Sequence, residues 1–236
     1  MDNIALVTGA AGFLGHEVAR TLHARGYGLA LVDAERSRER LDHLAASLGG
    51  ACVIAGDISS PALWAEAMPR LERELGGAPD VAALIAGGWQ GGKPLHEERT
   101  DEVWRAMIDA NLETVHRSLR ALLPPMVARK RGAIVVIGSR AAVDPASSAN
   151  AAAYAASKAG TVALAQAVAA EVRDLGVRVN ILMPSTLDTP ANRASMPGAD
   201  PTRWVSLPSA AGVVAFLLGD EARDISGAAV PIYGRA

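Results

Sequence analysis

Tyr154 and Lys158 stand four residues apart in Tyr154-Ala-Ala-Ser-Lys158, at the head of an alanine-rich stretch of good helix formers. Positions i and i+4 share one face of a helix, so the phenol and the ammonium can converge. A cation beside a phenol favours the phenolate and draws its pKa from ~10 toward neutrality, which suits a group that donates or accepts a proton during a reaction. The chain has only 3 tyrosines and very few lysines, so chance seldom produces such a pair. A second signature opens the chain in Leu6-Val-Thr8-Gly9-Ala-Ala-Gly12-Phe13-Leu14-Gly15, where an apolar run ends in glycines and leads into a helical pattern. Glycines there allow a tight turn and let the backbone approach a pyrophosphate, held by the amides and positive dipole end of the helix. The next apolar run ends in Asp33, 24 residues after Gly9. A carboxylate at that point accepts hydrogen bonds from adenosine ribose hydroxyls and repels a 2′-phosphate, so NAD is expected in preference to NADP. Arg36 and Arg38 follow in a mixed-sign helical start and read as a solvated face. Asp57, in Ala55-Gly-Asp57-Ile58, is placed to meet the adenine edge or to cap the helix beginning near Pro61.

The elements that must position these groups alternate along the chain. Short apolar runs cover Ile4–Val7, Gly28–Val32, Cys52–Ala55, Val81–Ala86, Ala133–Ile137, Val177–Met183 and Ala228–Ile232. Helical patterns fall between them over Phe13–Arg25, Arg36–Leu48, Pro61–Leu75, Asp101–Ala128, Ala151–Leu175 and Ala210–Gly219. Near-continuous apolar strands point to burial on both faces. The expected architecture is α/β, one Rossmann domain over residues 1–236, with a doubly wound parallel sheet of about seven strands and helices on both faces. Ser185–Pro208, carrying four prolines, lacks an apolar period and is expected to be a substrate-covering loop.

A chain of 236 residues with 50% apolar and 20% charged residues can bury a real core. Its net charge of −2 and the absence of like-charge blocks remove the electrostatic warrant for nucleic acid or acidic membrane partners. No apolar run approaches the ~18 residues a membrane helix needs and no basic leader is evident, so a cytoplasmic location is expected. Cys52, the only cysteine, lies in a strand-like run and reads as a buried small apolar residue. No residue set is assigned to a metal.

With these motifs in hand, the chain resembles the short-chain dehydrogenase/reductase family over essentially its whole length. The resemblance rests on Thr8-Gly9 with the glycine loop, Asp57, Asn111 in Asn-Leu-Glu-Thr, Gly138-Ser139, Tyr154 with Lys158, and Val179-Asn180 before Pro184. It implies that Tyr154 is the general acid/base, that Lys158 holds the nicotinamide ribose and lowers the tyrosine pKa, that Ser139 bonds the reacting carbonyl, and that Asn111 positions a relay water. It also implies cofactor contacts from Gly9, Gly12, Phe13, Leu14, Gly15, Asp33, Asp57, Ile58, Ala86, Gly87, Tyr154, Lys158, Pro184, Thr186 and Thr189, and assembly as a homotetramer or homodimer. The chain departs from the family pattern in places. Its glycine spacing, Gly-x2-Gly-x2-Gly, is that of the longer extended branch, while Asn-Asn-Ala-Gly is replaced by Leu84-Ile85-Ala86-Gly87. Pro-Gly after the sixth strand is Pro184-Ser185, and Ser139 lies 15 residues before Tyr154, two more than usual.

A narrower resemblance links Ala86-Gly-Gly-Trp89-Gln-Gly-Gly92 and Thr186–Trp204 to dihydropteridine reductases, which implies that Trp89 lies beside the substrate ring. An exposed indole after a strand end suits stacking on a planar heterocycle. The leading expectation is an NAD(H)-dependent oxidoreductase interconverting a small carbonyl and alcohol, with Ser139, Tyr154 and Trp89 meeting the substrate. Reduction of a quinonoid pterin or related imine, and a non-catalytic dinucleotide sensor, are the alternatives.

Overall fold

The computed structural model describes residues 3–235. One parallel sheet is built from β1 (Ile4–Thr8), β2 (Gly28–Asp33), β3 (Cys52–Ala55), β4 (Val81–Leu84), β5 (Gly132–Ile137), β6 (Val177–Pro184) and β7 (Ala229–Ile232), in the order β3-β2-β1-β4-β5-β6-β7. The helices are α1 (Phe13–Ala24), α2 (Arg38–Ser47), α3 (Pro61–Leu75), α4 (Glu102–Ile108), α5 (Thr114–Arg129), α6 (Ala152–Val172), α7 (Pro190–Ser195) and α8 (Leu207–Leu218). The expected seven-stranded doubly wound sheet is therefore present. Its core divides by the strand period of two. Ile4 and Leu6 point into the layer made by α3, α5 and α6, while Ala5 and Val7 point into the layer made by α1, α2 and α8.

The order of strands reverses beside β1, which pairs with β2 on one side and β4 on the other. The loops leaving β1 and β4 therefore diverge and open a crevice at the carboxyl end of the sheet. Two elements differ from the sequence expectation in a way that matters there. β4 stops at Leu84 instead of Ala86, because the Ile85 and Ala86 amides donate to Thr8 Oγ1 (3.0 and 3.1 Å) and leave the strand ladder. The single helix expected over Asp101–Ala128 is α4 and α5 joined by a π-helical turn, Asp109–Glu113. Such wide turns insert one residue into a helix and redirect its side chains.

Smaller corrections concern helix ends. α6 gives way at Arg173–Leu175 to a 3-10 turn, and α8 starts at Leu207, where the Ser206 hydroxyl accepts from the Ser209 amide. Among the described residues no helix is long and apolar enough to cross a membrane.

The opposite pole of the sheet gathers helix C-termini and the basic residues that complement them. Arg25, at the end of α1, donates to Ala215 O. Arg178 donates to Leu217 O (2.8 Å), Leu218 O (3.3 Å) and Gly219 O (2.9 Å), the carbonyls that α8 leaves open. Those carbonyls lose their partner in Arg178→Met. Urea unfolding should show a loss of ~2 kcal/mol, the range for hydrogen bonds to a charged group, whereas an unchanged midpoint would mean water serves as well.

Candidate active site

At the crevice the chain turns from β1 into α1 with almost no space to spare. Gly9 has φ +66°, and a Cβ on it would lie 2.8 Å from the Ala86 nitrogen. A Cβ on Gly15 would run into the Gly9 carbonyl. Gly12 caps α1 without any side-chain acceptor, so the first-turn amides keep their polarity for a ligand. Gly9, Gly12, Phe13, Leu14 and Gly15 line a cavity of about 620 Å³, well within the size of cofactor sites. A glycine cradle that side chains would fill, set against an uncapped helix start, fits a dinucleotide pyrophosphate.

Asp33 closes β2 on the same cavity. Its Oδ2 accepts from the Ala11 amide (3.0 Å) and its Oδ1 from the Ala34 amide (2.7 Å), so the carboxylate also braces the glycine loop. Asp57 accepts from the Ser59 amide and hydroxyl and fixes its own turn, while the helix cap before α3 falls to Ser60. Ile58, Ala86, Gly87 and Thr189 reach the wall; Pro184 and Thr186 lie outside it. Arg38 is turned away onto Glu35 (2.6 Å). Arg36 lines the cavity together with Arg40, which donates to Ser37 Oγ at 2.8 Å. Arg40 was missed in the sequence, although its position four residues after Arg36 was a usable signal.

Ser139, Tyr154 and Lys158 are not among the residues that line this cavity; Lys158 comes up behind its wall at Ile137 and Gly87. Tyr154 lies in the first turn of α6 and Lys158 one turn later. Ser139 follows β5, and its hydroxyl accepts from the Ala141 amide (3.2 Å) and lies near enough to the Tyr154 phenol to pull its pKa down, so the two extra residues of spacing do not part them. Lys158 is buried and its Nζ donates to Ile137 O at 2.9 Å. Burial holds the Tyr154 phenol above its ordinary range, with Ser139 pulling it down, while the Lys158 ammonium is bonded at the end of β5.

Asn111 is the residue expected to position a relay water. It sits in the π turn with no exposed surface. Its Oδ1 accepts from the Gly88 amide (3.0 Å), and its Nδ2 donates to Gly88 O and to Ser157 Oγ (3.1 Å each). Its carbonyl accepts from Thr161 Oγ1 at 3.1 Å. The side chain fastens the loop after β4 to α6. Ser157 and Thr161, absent from the sequence reading, complete this knot; two fully buried hydroxyls one helical turn apart were their signal.

The segment 185–208 is more ordered than its composition suggests. Leu187 and Val205 form a β-bridge at its base, Thr189 caps α7 through the Asn192 amide, and Asp188 pairs with Arg193 at 2.6 Å. The C-terminal residues brace it further. Ser185 Oγ donates to Tyr233 O and the Arg203 guanidinium to Arg235 O. Leu187 and Thr189 face the cavity, while Trp204 is half-buried in the braced base and away from the cavity wall. Trp89 is 65% exposed on the loop next to Gly88.

Burial pushes the Lys158 ammonium from its ordinary 10.5 down to about 8. A base whose pKa falls on folding carries a penalty that is fully present below pH 8 and fades as pH rises to 10.5, where the unfolded chain still binds the proton and the native one does not. Lys158→Met should therefore melt above the wild type at neutral pH, by a margin that narrows between pH 8 and 10.5. A margin that stays constant or widens in Tm measurements over that window would contradict the shift.

The arrangement matches a known family. The family model described as short chain dehydrogenase matches residues 3–199. The 2,3-dihydro-2,3-dihydroxybenzoate dehydrogenase of Bacillus subtilis is 35% identical over 190 residues, covering 79% of this chain and 70% of the relative. The 3-oxoacyl-(acyl-carrier-protein) reductase FabG of Escherichia coli is 30% identical over 241 residues, 98% of this chain and 96% of the relative. Among solved structures, a 3-oxoacyl-(acyl-carrier protein) reductase from Brucella melitensis with bound NAD aligns with a TM-score of 0.85 at 27% identity, covering 99% of this chain and 90% of that one. With the glycine cradle at the switch point of the sheet and Ser139, Tyr154 and Lys158 gathered beside it, the chain belongs to the short-chain dehydrogenase/reductase family and is an NAD(P)-dependent oxidoreductase.

Proposed function

We propose that the protein interconverts a small carbonyl compound and its alcohol with NAD(H), and that Tyr154 gives or takes the proton at the carbonyl oxygen. The observation that supports this reading is the buried Lys158 ammonium, one helical turn from Tyr154, bonded to Ile137 O on the wall of the glycine-cradled cavity, with the Ser139 hydroxyl close enough to Tyr154 to pull its pKa down. When bound, the dinucleotide supplies the hydride at its nicotinamide ring. The α1 amides and the loop Gly9–Gly15 hold its pyrophosphate, Asp33 its adenosine ribose, and Asp57 and Ile58 its adenine. Ala86, Gly87, Lys158 and Thr189, with Pro184 and Thr186 behind them, serve the nicotinamide half.

Ser139 orients the substrate oxygen toward Tyr154, and Trp89 offers a flat apolar surface to whatever the oxygen is attached to. That surface also favours the second reading, reduction of a planar pterin or imine. The segment 185–208 covers the substrate from the braced base upward. The protein acts in the cytoplasm as a homotetramer or homodimer. The exposed small residues Ala159, Ala163 and Ala167 of α6 and the exposed Trp104 and Phe216 support association.

Tyr154→Phe should lower turnover by at least ~10²-fold with NADH affinity nearly unchanged, and Lys158→Ala should lose both. A panel of ketones, quinones and quinonoid dihydropterin supplies the turnover assay; a Phe variant retaining more than roughly a tenth of the rate removes Tyr154 as proton donor. Cofactor choice forms a separate test. Asp33 predicts a higher kcat/KM with NADH than with NADPH, and the reverse order would mean that Arg36 and Arg40 outweigh the carboxylate.

A further inference from the structure

Trp89 poses a mechanical question. With 65% of its surface exposed, its indole receives little packing support, so its position depends on the backbone that carries it. That backbone, Gly88–Gly92, belongs to no helix or strand, yet it is tied at both ends. At one end the Gly88 peptide is gripped on both its amide and its carbonyl by the Asn111 side chain (3.0 and 3.1 Å). At the other, the Gly92 amide donates to Asn150 O at 2.8 Å. Between these bonds Gly91 touches the residues that begin α6. A Cβ there would lie 2.8 Å from both Asn150 O and Ala151 Cβ, so only glycine fits without displacement.

Both anchors lead to Tyr154. Asn150 takes a left-handed backbone (φ +68°), which asparagine tolerates better than most residues, and this turn aims its carbonyl at Gly92. Ala151, next in the chain, is buried and accepts the Ala155 amide in the first turn of α6, the turn that contains Tyr154. From the Asn111 side, Ser157 Oγ accepts from Asn111 Nδ2 and donates to Tyr154 O at 2.8 Å. Two further exposed apolar residues, Leu95 and Val143, lie on the loops that follow β4 and β5 at the same edge of the sheet.

We propose that Gly91 and Asn150 are positioning residues which, with Asn111, hold Gly88–Gly92 as a fixed wall over the start of α6 and thereby set the place of Trp89 relative to Tyr154. The wall selects substrates with a flat apolar part that rests on the indole while their oxygen reaches the Ser139 and Tyr154 hydroxyls. This rests on the reading that Trp89 meets the substrate. Small displacements matter here, because a shift of about 1 Å in a supporting element can cost on the order of 10²-fold in rate.

The test has one arm without any ligand and one with NADH as the probe. Hydrogen exchange should show slow amides at Gly88 and Gly92 in the wild type, with Gly92 becoming fast in Gly91→Ala while the β1 amides stay slow. Fast exchange at Gly92 in the wild type itself, or slow exchange retained in the variant, overturns the clamp. In the second arm NADH is titrated by direct excitation of its nicotinamide, and energy transfer from tryptophan is then read as sensitised nicotinamide emission. The share lost in Trp89→Phe belongs to Trp89. Gly91→Ala should lose that share with unchanged NADH affinity, and Gly91→Ala/Ala151→Gly, which removes one of the two close contacts, should recover part of it. A Gly91→Ala protein that keeps the whole share overturns the positioning role. Failure of the wild type to bind NADH would instead sink the dinucleotide reading, and the exchange arm would still decide the clamp.

Discussion

The site depends on the demand of one buried amide for partners. Asn111 lies fully inside the protein, where each unpaired polar group would cost about 1–3 kcal/mol, and it meets this demand by reaching both the loop after β4 and α6. Its side chain takes the Gly88 peptide and Ser157 Oγ, and its carbonyl takes Thr161 Oγ1. Asn111 makes these bonds from the wide turn between α4 and α5, which re-aims its side chain relative to a regular helix. Gly87 is part of the same constraint, since a Cβ there would meet Asn111 Oδ1 at 2.6 Å and lie 3.5 Å from Lys158 Nζ. The loop after β4, the π turn and the catalytic helix are thus one unit, and Tyr154 and Lys158 inherit their positions from it.

A second constraint acts along the strand direction. All strands are parallel, so the loops that start helices collect at one pole and those that end them at the other. The starting pole offers amides to anions, as α1 does in the glycine cradle. The finishing pole holds a larger cavity of about 870 Å³ lined by Arg25, Arg131, Arg178 and Arg223 among other residues. Its size alone would recommend it. Four of its guanidinium groups, however, are engaged: Arg25 and Arg178 on helix carbonyls, Arg131 on Asn3, Arg223 beside Asp224. They complete the fold, and the smaller cavity keeps its donors for a ligand.

The architecture was legible because burial on both faces of a parallel sheet leaves continuous apolar runs separated by amphipathic stretches. Gly9, Gly15, Asp33, Tyr154 and Lys158 were legible for a related reason, since the chemistry of each depends on residue type and short spacing. The π turn was not. Asp101–Ala128 carries an unbroken helical pattern, and the residue that forces the extra turn is an asparagine whose partners, Gly88 and Ser157, lie 23 and 46 positions away. The order in segment 185–208 escaped notice for the same reason, because it comes from contacts with the C-terminal residues and from the Leu187–Val205 bridge. Helical geometry brings Lys158 to the face of Tyr154, and the Ile137 carbonyl, far away in sequence and not readable from spacing, holds its ammonium.

A dinucleotide in the glycine-cradled cavity should lie against Ser139, Tyr154 and Lys158, and a crystal structure of the protein with NAD would reveal it. The pyrophosphate should sit at the Leu14 and Gly15 amides, the adenosine ribose on Asp33 and the nicotinamide ribose within hydrogen-bond reach of Lys158. Density for the dinucleotide in the opposite cavity, among Arg25, Arg131 and Arg178, would contradict this placement.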